Sequence, residues 1–323
     1  MRWALLVWLL LSAAARPADA ASGPSLVLET RIDIGPVHGR LDHLTVDLAR
    51  KRLFVAEYGN DSVGVVDLSA QKLVRTIDGF RAPQGIAYVA ATDTVYVANG
   101  GDGMVRLLRG SDFSSAGSIK LDSDADNSRV DEAAGLVFVG HGEGGIAIID
   151  TRTQELVGDI RLKAHPEGFV LDPDGKRIYV NVPDAHEVAV LGQAKLTQVA
   201  SWPIKERGNY PMALKPSSPA RIIIATRAPA RLLIAGVFNG QIVDDRALCG
   251  DADDIFVDAR RGLKYVSCGD GLLQTISNNT AQSDMQTSIG ARTFVFVPEL
   301  DRLFLAVPRG YVGHAAIWVF RPQ

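Results

Sequence analysis

The chain has 323 residues, enough for two ordinary domains or for one large β-architecture. Lysine and arginine number 34 and aspartate and glutamate number 37, so the formal net charge is only −3. This balance gives no reason to expect a protein that binds nucleic acid or an anionic membrane surface.

The first twenty residues predict a signal peptide. Met1 and Arg2 form a short positive start, an apolar run follows over residues 4–15, and Ala18-Asp19-Ala20 has the small-residue pattern of a cleavage site. The apolar run is shorter than the roughly 20 residues that span a bilayer. We therefore predict a signal peptide over residues 1–20, followed by an exported mature chain, periplasmic or secreted, that has no membrane span and is monomeric.

The mature chain opens with one isolated strand pattern over residues 26–32, and a unit of four strands then follows. The turn Leu48-Ala49-Arg50-Lys51 separates the first two strands of that unit, as expected of a hairpin. The four strand-like runs are residues 45–47, 53–56, 63–67 and 73–77.

The second run of this unit recurs along the whole chain, at steps of 39 to 44 residues. The central residues of its copies are Phe54, Tyr96, Phe138, Tyr179, Ile223, Tyr265 and Phe304. Four short strands in roughly 40–50 residues is the period of a β-propeller blade. The seven copies predict an all-β, seven-bladed propeller with four-stranded antiparallel blades, forming a single domain over residues 21–323.

The last copy ends at residues 317–320 and lacks a fourth strand. The strand pattern over residues 26–32 has no other partner in the repeat scheme. We therefore expect it to pair beside the C-terminal strand, which closes the ring and removes an exposed sheet edge.

Several stretches resemble a known family. "LFVAEYGNDSVGVVDL" (53–68), "TVYVANGG" (94–101) and "RIYVNVPDAHEVAVL" (177–191) are similar to the YVTN-type (YncE-like) β-propeller family of exported proteins. The full Gly-Asn-x-Ser-Val-x-Val-x-Asp signature stands in the first repeat, over residues 59–67. The resemblance implies a propeller that serves as a binding platform or scaffold, while propellers of similar architecture are lactonases or lyases.

The strand order predicts which chemical groups share a face. If strands a to d run outward from the central channel, the d–a and b–c connections lie on one side of the ring, which we call the top face. All six histidines map to these connections: His38, His43, His141, His165, His186 and His314. The hairpin "HPEGFVLDPDGKRIYVNVPDAH" (165–186) therefore presents both of its framing histidines to the top face, and its Asp172-Pro173-Asp174-Gly175 turn to the other.

The starts of the a strands add charged and polar residues beside the channel. Two interpretations stay open: a ring of ion pairs that joins neighbouring blades, or a funnel whose polar groups converge on a small molecule. Under the second, the predicted ligand-binding residues are Asp42, Arg81, Gln84, Asn127, Arg129, His141, His186, Arg207, Asn209 and Tyr210.

Three functions follow from this arrangement. The first is binding of a small polar molecule on the top face. The second is a lactone hydrolase or β-eliminating lyase in which His43 or His165 is a general base, Arg292 stabilises negative charge, and Glu167, Asp253 and Asp254 hold a divalent cation such as calcium. The third is a scaffold for a periplasmic protein partner, bound through apolar patches on the rim.

The two cysteines both fall in the sixth copy. Cys249 precedes strand a, and Cys268 ends strand b opposite about Asp253, so a bridge requires Cys249 to fold back over the top face. An exported chain meets an oxidising compartment, and we predict a disulfide between the two residues.

Overall fold

The computed structural model of the protein describes residues 25–217, 219–277, 282–310 and 313–323. The predicted signal peptide, residues 1–20, lies outside the described residues. No helix of the described part is long and apolar enough to cross a membrane.

The described residues form 28 β-strands and no α-helix. Four single 3-10 turns lie at Tyr58–Asn60, Ala90–Thr92, Pro183–Ala185 and Gln193–Lys195. In chain order the strands are β1 (Leu26–Gly35), β2 (Leu44–Asp47), β3 (Arg52–Glu57), β4 (Ser62–Asp67), β5 (Lys72–Asp78), β6 (Pro83–Val89), β7 (Thr94–Asn99), β8 (Met104–Arg109), β9 (Ser115–Lys120), β10 (Ser128–Asp131), β11 (Leu136–His141), β12 (Gly145–Asp150), β13 (Glu155–Arg161), β14 (Phe169–Leu171), β15 (Arg177–Val182), β16 (Glu187–Gly192), β17 (Thr197–Pro203), β18 (Met212–Lys215), β19 (Arg221–Arg227), β20 (Ala230–Gly236), β21 (Ile242–Ala247), β22 (Ala252–Asp258), β23 (Leu263–Cys268), β24 (Leu272–Ser277), β25 (Gln282–Gln286), β26 (Thr293–Val297), β27 (Arg302–Val307) and β28 (Ala315–Pro322).

The strands form seven antiparallel sheets of four, and these are the blades of a ring. Six blades take consecutive strands, from β2-β3-β4-β5 to β22-β23-β24-β25, and the seventh has the order β1-β28-β27-β26. The first strands of neighbouring blades contact each other all the way round, from β2 with β6 to β22 with β26, and β26 contacts β2. The predicted seven-bladed propeller is therefore confirmed.

Burial explains why the second strands gave the clearest repeat signal. Their central residues, such as Phe54, Tyr96 and Tyr179, are buried because neighbouring sheets cover both faces of the strand. Burying one large apolar side chain contributes roughly 1.5–3 kcal/mol. The outermost strands alternate with solvent instead: β5 is mostly exposed, and Val74, Leu156 and Val199 on outer strands are exposed apolar residues.

The seventh blade takes its outermost strand from the beginning of the described chain. β1 pairs antiparallel with β28, with Leu26 opposite Pro322 and Ile32 opposite Ile317. Ile32 and Ile34 are buried in an apolar cluster shared with the first blade. The pairing of β1 with β28 contains two register shifts. In each of the first five blades, the pairing of the third strand with the fourth contains one register shift.

Candidate functional site

A cavity of about 530 Å³ lies on the axis of the ring, and all seven first strands contribute to its wall. Its mouth opens among the connections that lead from each fourth strand into the next first strand. Further along the same strands the wall becomes apolar, with Val130, Val170, Leu214, Val257 and Val295. The arrangement is a polar mouth above an apolar floor.

His43 lies between two carboxylates at this mouth. Its Nδ1 is 3.7 Å from Asp254 Oδ1, and its Nε2 is 3.8 Å from Asp42 Oδ1. Burial alone would lower the pKa of His43, but Asp254, Asp42 and Asp126 outweigh it and raise the pKa to about 10. Burial raises the pKa of the Asp42 carboxyl. His43 is therefore a cation at neutral pH, a charge state that suits ion pairing better than the general-base role predicted from the sequence.

Arg40, which the sequence analysis did not select, joins the first blade to the second. Its Nη2 donates to Asp42 Oδ2 at 2.5 Å and to Gln84 Oε1 at 2.7 Å, and the guanidinium lies 4.0 Å above the ring of Tyr58. Gln84 in turn donates through Nε2 to Asp124 Oδ1 at 3.0 Å. This chain of polar contacts fits the structural interpretation, in which the mouth holds neighbouring blades together.

A second network joins the fifth, sixth and seventh blades. Arg292 Nε lies 3.1 Å from Asp253 Oδ2, and Arg227 pairs with the other oxygen of the same carboxylate. Asp251 contacts both guanidiniums, at 3.1 Å from Arg227 Nε and 2.9 Å from Arg292 Nη1. Burial raises the pKa of Asp253 to about 6 although both arginines oppose the shift. Arg292, predicted as catalytic, and Asp253, predicted as a metal ligand, are thus engaged with each other.

Arg129 is held differently from the other arginines of the mouth. It donates from Nε to the carbonyl of Phe169 at 3.0 Å and from Nη1 to the carbonyl of Ser128 at 2.8 Å. It lines the cavity and makes no ion pair with any residue in the described ranges. Burial lowers its pKa, yet an arginine guanidinium stays protonated in proteins. The mouth therefore contains a cation whose remaining N–H groups are available.

Asp126, His165 and Glu167 form a compact group on the third and fourth blades. One ligand atom from each lies within 4.8 Å of the other two. Burial raises the pKa of Glu167 to about 8, and Asp126 adds to the shift. Burial would lower the pKa of His165, but Asp126 and the carbonyl of Gly142 raise it to about 9. The other two predicted metal ligands do not belong to this group, and Asp254 instead faces His43 and accepts the amide N–H of Phe294 at 2.9 Å.

Of the remaining predicted ligand-binding residues, two line the cavity and three are exposed outside it. Asn127 and Tyr210 line the cavity, and Tyr210 stacks beneath Arg227 at 3.9 Å. Arg81, Arg207 and His186 are exposed and lie outside the cavity wall.

Two buried residues of the predicted set turn away from the cavity. His141 Nε2 contacts Asp159 Oδ1 at 3.1 Å on the outermost strand of its blade. Asn209 donates to Asn181 Oδ1 at 3.0 Å. All six histidines do lie at d–a or b–c connections, but of the six only His43 and His165 contact residues of the cavity mouth. Residues that lie on the same face of the ring therefore do not all reach the cavity.

The two cysteines form a disulfide in the sixth blade, with Cα atoms 5.9 Å apart. Cys268 pairs with Ala252 in the ladder, and a register shift follows between Ala252 and Asp254. Both cysteines are buried in an apolar cluster between the fifth and sixth blades. The bridge therefore ties the connection before β22 to the end of β23.

Comparison with known proteins supports the propeller fold but does not indicate a function. No family model and no curated protein matches the chain. Among solved structures it is similar to hydrazine synthase from Kuenenia stuttgartiensis, with a TM-score of 0.70 and 14% identity over 91% of this chain and 96% of that chain. Because 1697 chains of solved structures match, the fold does not select one function. Fold and site together define a seven-bladed β-propeller with a polar axial cavity.

Proposed function

We propose that the chain is an exported propeller that binds a small, polar, anionic molecule in its central cavity. The observation that carries this proposal is the guanidinium of Arg129, which lines the cavity and has no carboxylate partner among the described residues. Asp126 and Asp254 attract this partly buried guanidinium without contacting it, and an anionic ligand would supply the direct counter-charge that it lacks.

The geometry of Arg129 suits a carboxylate. Two backbone carbonyls fix its Nε and one Nη1 hydrogen, and Phe169 lies beside the guanidinium at 5.3 Å. A guanidinium has five N–H donors in a planar fork, so donors remain for a bidentate contact. Since the side chain is already oriented, little conformational entropy is lost when a ligand binds.

The rest of the cavity suits a polar ligand of modest size. Its volume of about 530 Å³ lies within the range of roughly 300–1,000 Å³ that small-molecule sites occupy. The carboxyl groups of Asp42 and Glu167 line the wall and could accept hydrogen bonds from the hydroxyl groups of a ligand. A hydroxylated acid, such as an acidic sugar, combines both requirements.

The disulfide supports the export part of the proposal. Structural disulfides persist in oxidising compartments and are rare in the cytosol. The bridge between Cys249 and Cys268 is thus in keeping with a periplasmic or secreted protein, as the signal-peptide pattern over residues 1–20 predicts. Mass spectrometry of the exported protein would test this directly, by locating its first residue near Ala21 and its cysteines in the oxidised form.

The test of binding uses galacturonate and galactose, which differ by a carboxylate on the same ring. Calorimetric titration in the presence of a chelator should give saturable binding of galacturonate and much weaker binding of galactose. Arg129→Gln should weaken galacturonate binding by about 10- to 100-fold, because a hydrogen bond to a charged group is worth about 1.5–3 kcal/mol. Arg81→Gln is the matched control, since Arg81 is exposed and lies outside the cavity.

Gluconate and citrate extend the titration to acids of other shapes. The proposal is contradicted if none of the three acids binds, if galactose binds as tightly as galacturonate, or if Arg129→Gln binds as the wild type does.

A second function, lactone hydrolysis or β-elimination, is favoured by Glu167. A carboxyl group with a pKa of about 8 exchanges its proton near neutral pH, as a general acid or base must. Glu167 lines the cavity that contains Arg129. If this function holds, polygalacturonate or a sugar lactone should be consumed with turnover, and Glu167→Gln should abolish turnover while galacturonate still binds. Binding without turnover would leave the protein as a carrier.

A further inference from the structure

We propose that Asp126, His165 and Glu167 bind one divalent transition-metal cation at the edge of the central cavity. One ligand atom from each residue lies within 4.8 Å of the other two. Donor atoms that share a zinc ion at bond lengths of 2.0–2.2 Å stand about 3.4 Å apart, so small side-chain adjustments bring this group to coordination distance.

The imidazole of His165 is already oriented for this role. Its Nδ1 lies 2.7 Å from the carbonyl oxygen of Gly142, a contact that fixes the proton on Nδ1. The other nitrogen, Nε2, faces Asp126 Oδ2 at 3.7 Å, too far for a hydrogen bond, and a bound cation would displace the proton that Nε2 carries at neutral pH. Metal-binding histidines commonly donate one ring N–H to a carbonyl or carboxylate and present the other nitrogen to the ion.

Neither carboxylate accepts a side-chain hydrogen bond among the described residues, and Asp126 has only the imidazole of His165 beside it, at 3.7 Å. Asp126 is 8% exposed, and its side chain makes no hydrogen bond in the described part of the chain. The Glu167 side chain likewise makes neither a hydrogen bond nor an ion pair with the residues that the structure describes, although it is largely buried. A cation between the two would give Glu167 the partner that it lacks and would give Asp126 a direct contact in place of a distant imidazole.

The ligand types select the metal. Calcium takes six to eight oxygen ligands, whereas an imidazole with two carboxylates suits zinc, manganese and similar ions. This differs from the calcium-type ligand set predicted from the sequence. Asp126 and Glu167 both line the cavity, so the remaining coordination positions face the space where a ligand would lie.

The experiment uses the full chain, stripped with a chelator and then freed of it. Calorimetric titration with zinc chloride, and separately with manganese chloride, should give one saturable site, and calcium chloride should give none of comparable affinity. Substituting a residue that only supports a metal ligand typically lowers metal affinity about 10- to 100-fold. Removing a ligand itself should cost more, so His165→Ala and the isosteric Glu167→Gln should each lower the affinity for zinc by more than about 100-fold.

His186→Ala is the matched control, because His186 belongs to the same blade but is exposed and distant from the cavity wall. Its affinity should equal that of the wild type. The proposal is overturned if the wild type gives no saturable binding of zinc or manganese, or if the two variants bind as tightly as the control. The metal titrations contain no sugar acid, and the chelator keeps metal out of the galacturonate titrations. Failure of metal binding would therefore not contradict the proposed binding of an anion, and failure of anion binding would not contradict the metal site.

Discussion

The charge of one histidine at the cavity mouth depends on residues from three blades. His43 belongs to the first blade, Asp254 to the sixth and Asp126 to the third. Their carboxylates keep the imidazole protonated well above neutral pH, with a pKa of about 10. The protonated form therefore contributes to the stability of the ring, and its contribution depends on pH.

The raised pKa of His43 determines how its contribution to stability changes with pH. Since the folded pKa of His43 lies above the unfolded value of about 6.5, the stabilisation is fully present below about pH 6.5 and is lost as the pH rises towards 10. His43→Gln should thus lower the free energy of unfolding by a few kcal/mol at pH 6, and the difference from the wild type should shrink as the pH approaches 10. Urea unfolding at pH 6, 8 and 10 measures this.

His314→Gln provides the control for that series. His314 is half exposed, and within the described part of the chain its imidazole pairs with the exposed Asp33, at 2.8 Å, so its loss should change the free energy of unfolding by less than about 1 kcal/mol. If His43→Gln and the wild type differed by the same amount at all three pH values, the proposed charge of His43 would be wrong.

At the scale of single residues the sequence analysis named several acids of the mouth and two of their partners, His43 and Arg292, but missed two arginines. Asp42, Asp253 and Asp254 stand at the starts of first strands, where the repeat pattern places them beside the channel. Arg227 ends a second strand and Arg40 lies in a connection, and both reach the mouth through long side chains. Repeat spacing locates the backbone but does not tell how far a flexible side chain extends.

At the scale of strands, the second strand of each blade was predictable because both of its faces are buried in apolar surroundings. The fourth strands were harder, since they are largely exposed and their pairing is shifted by bulges. A bulge also explains a small error in the sixth blade. The sequence analysis placed Cys268 opposite about Asp253, whereas the irregularity between Ala252 and Asp254 sets it opposite Ala252.

The disulfide of this blade should contribute measurably to stability. It joins residues 19 apart in the sequence, and a loop of that length stabilises by about 3 kcal/mol in the chain-entropy account. A reductant should lower the free energy of unfolding of the wild type by about this amount, measured by urea unfolding with and without the reductant.

The double variant Cys249→Ala, Cys268→Ala isolates the bridge from the packing of the sulfur atoms. Its own stability should be lower than that of the oxidised wild type, but it should not respond to the reductant. A wild type that unfolds identically in both conditions would show that the bridge does not contribute.

At the scale of the whole molecule, the ring was predictable and the chemistry of its mouth was not. Seven copies at nearly constant spacing fit a propeller because each copy is a sheet that must be covered on both faces. The pairs at the mouth join distant parts of the chain, such as His43 with Asp254 or Arg40 with Gln84. Which of these side chains meet depends on the rotation between blades, and no local pattern records that rotation.

The pairing of β1 with β28 brings both ends of the described chain to one place: the amide of Gln323 donates to the carbonyl of Ser25 at 3.0 Å. A short glycine-rich tether could therefore fuse the two ends into a circle. The exposed hairpin tip at Pro173–Gly175, on the side away from the cavity mouth, would then offer a place to cut. A circular permutant made in this way would keep every contact around the axis, because the order of the blades along the polypeptide is separable from their order in space.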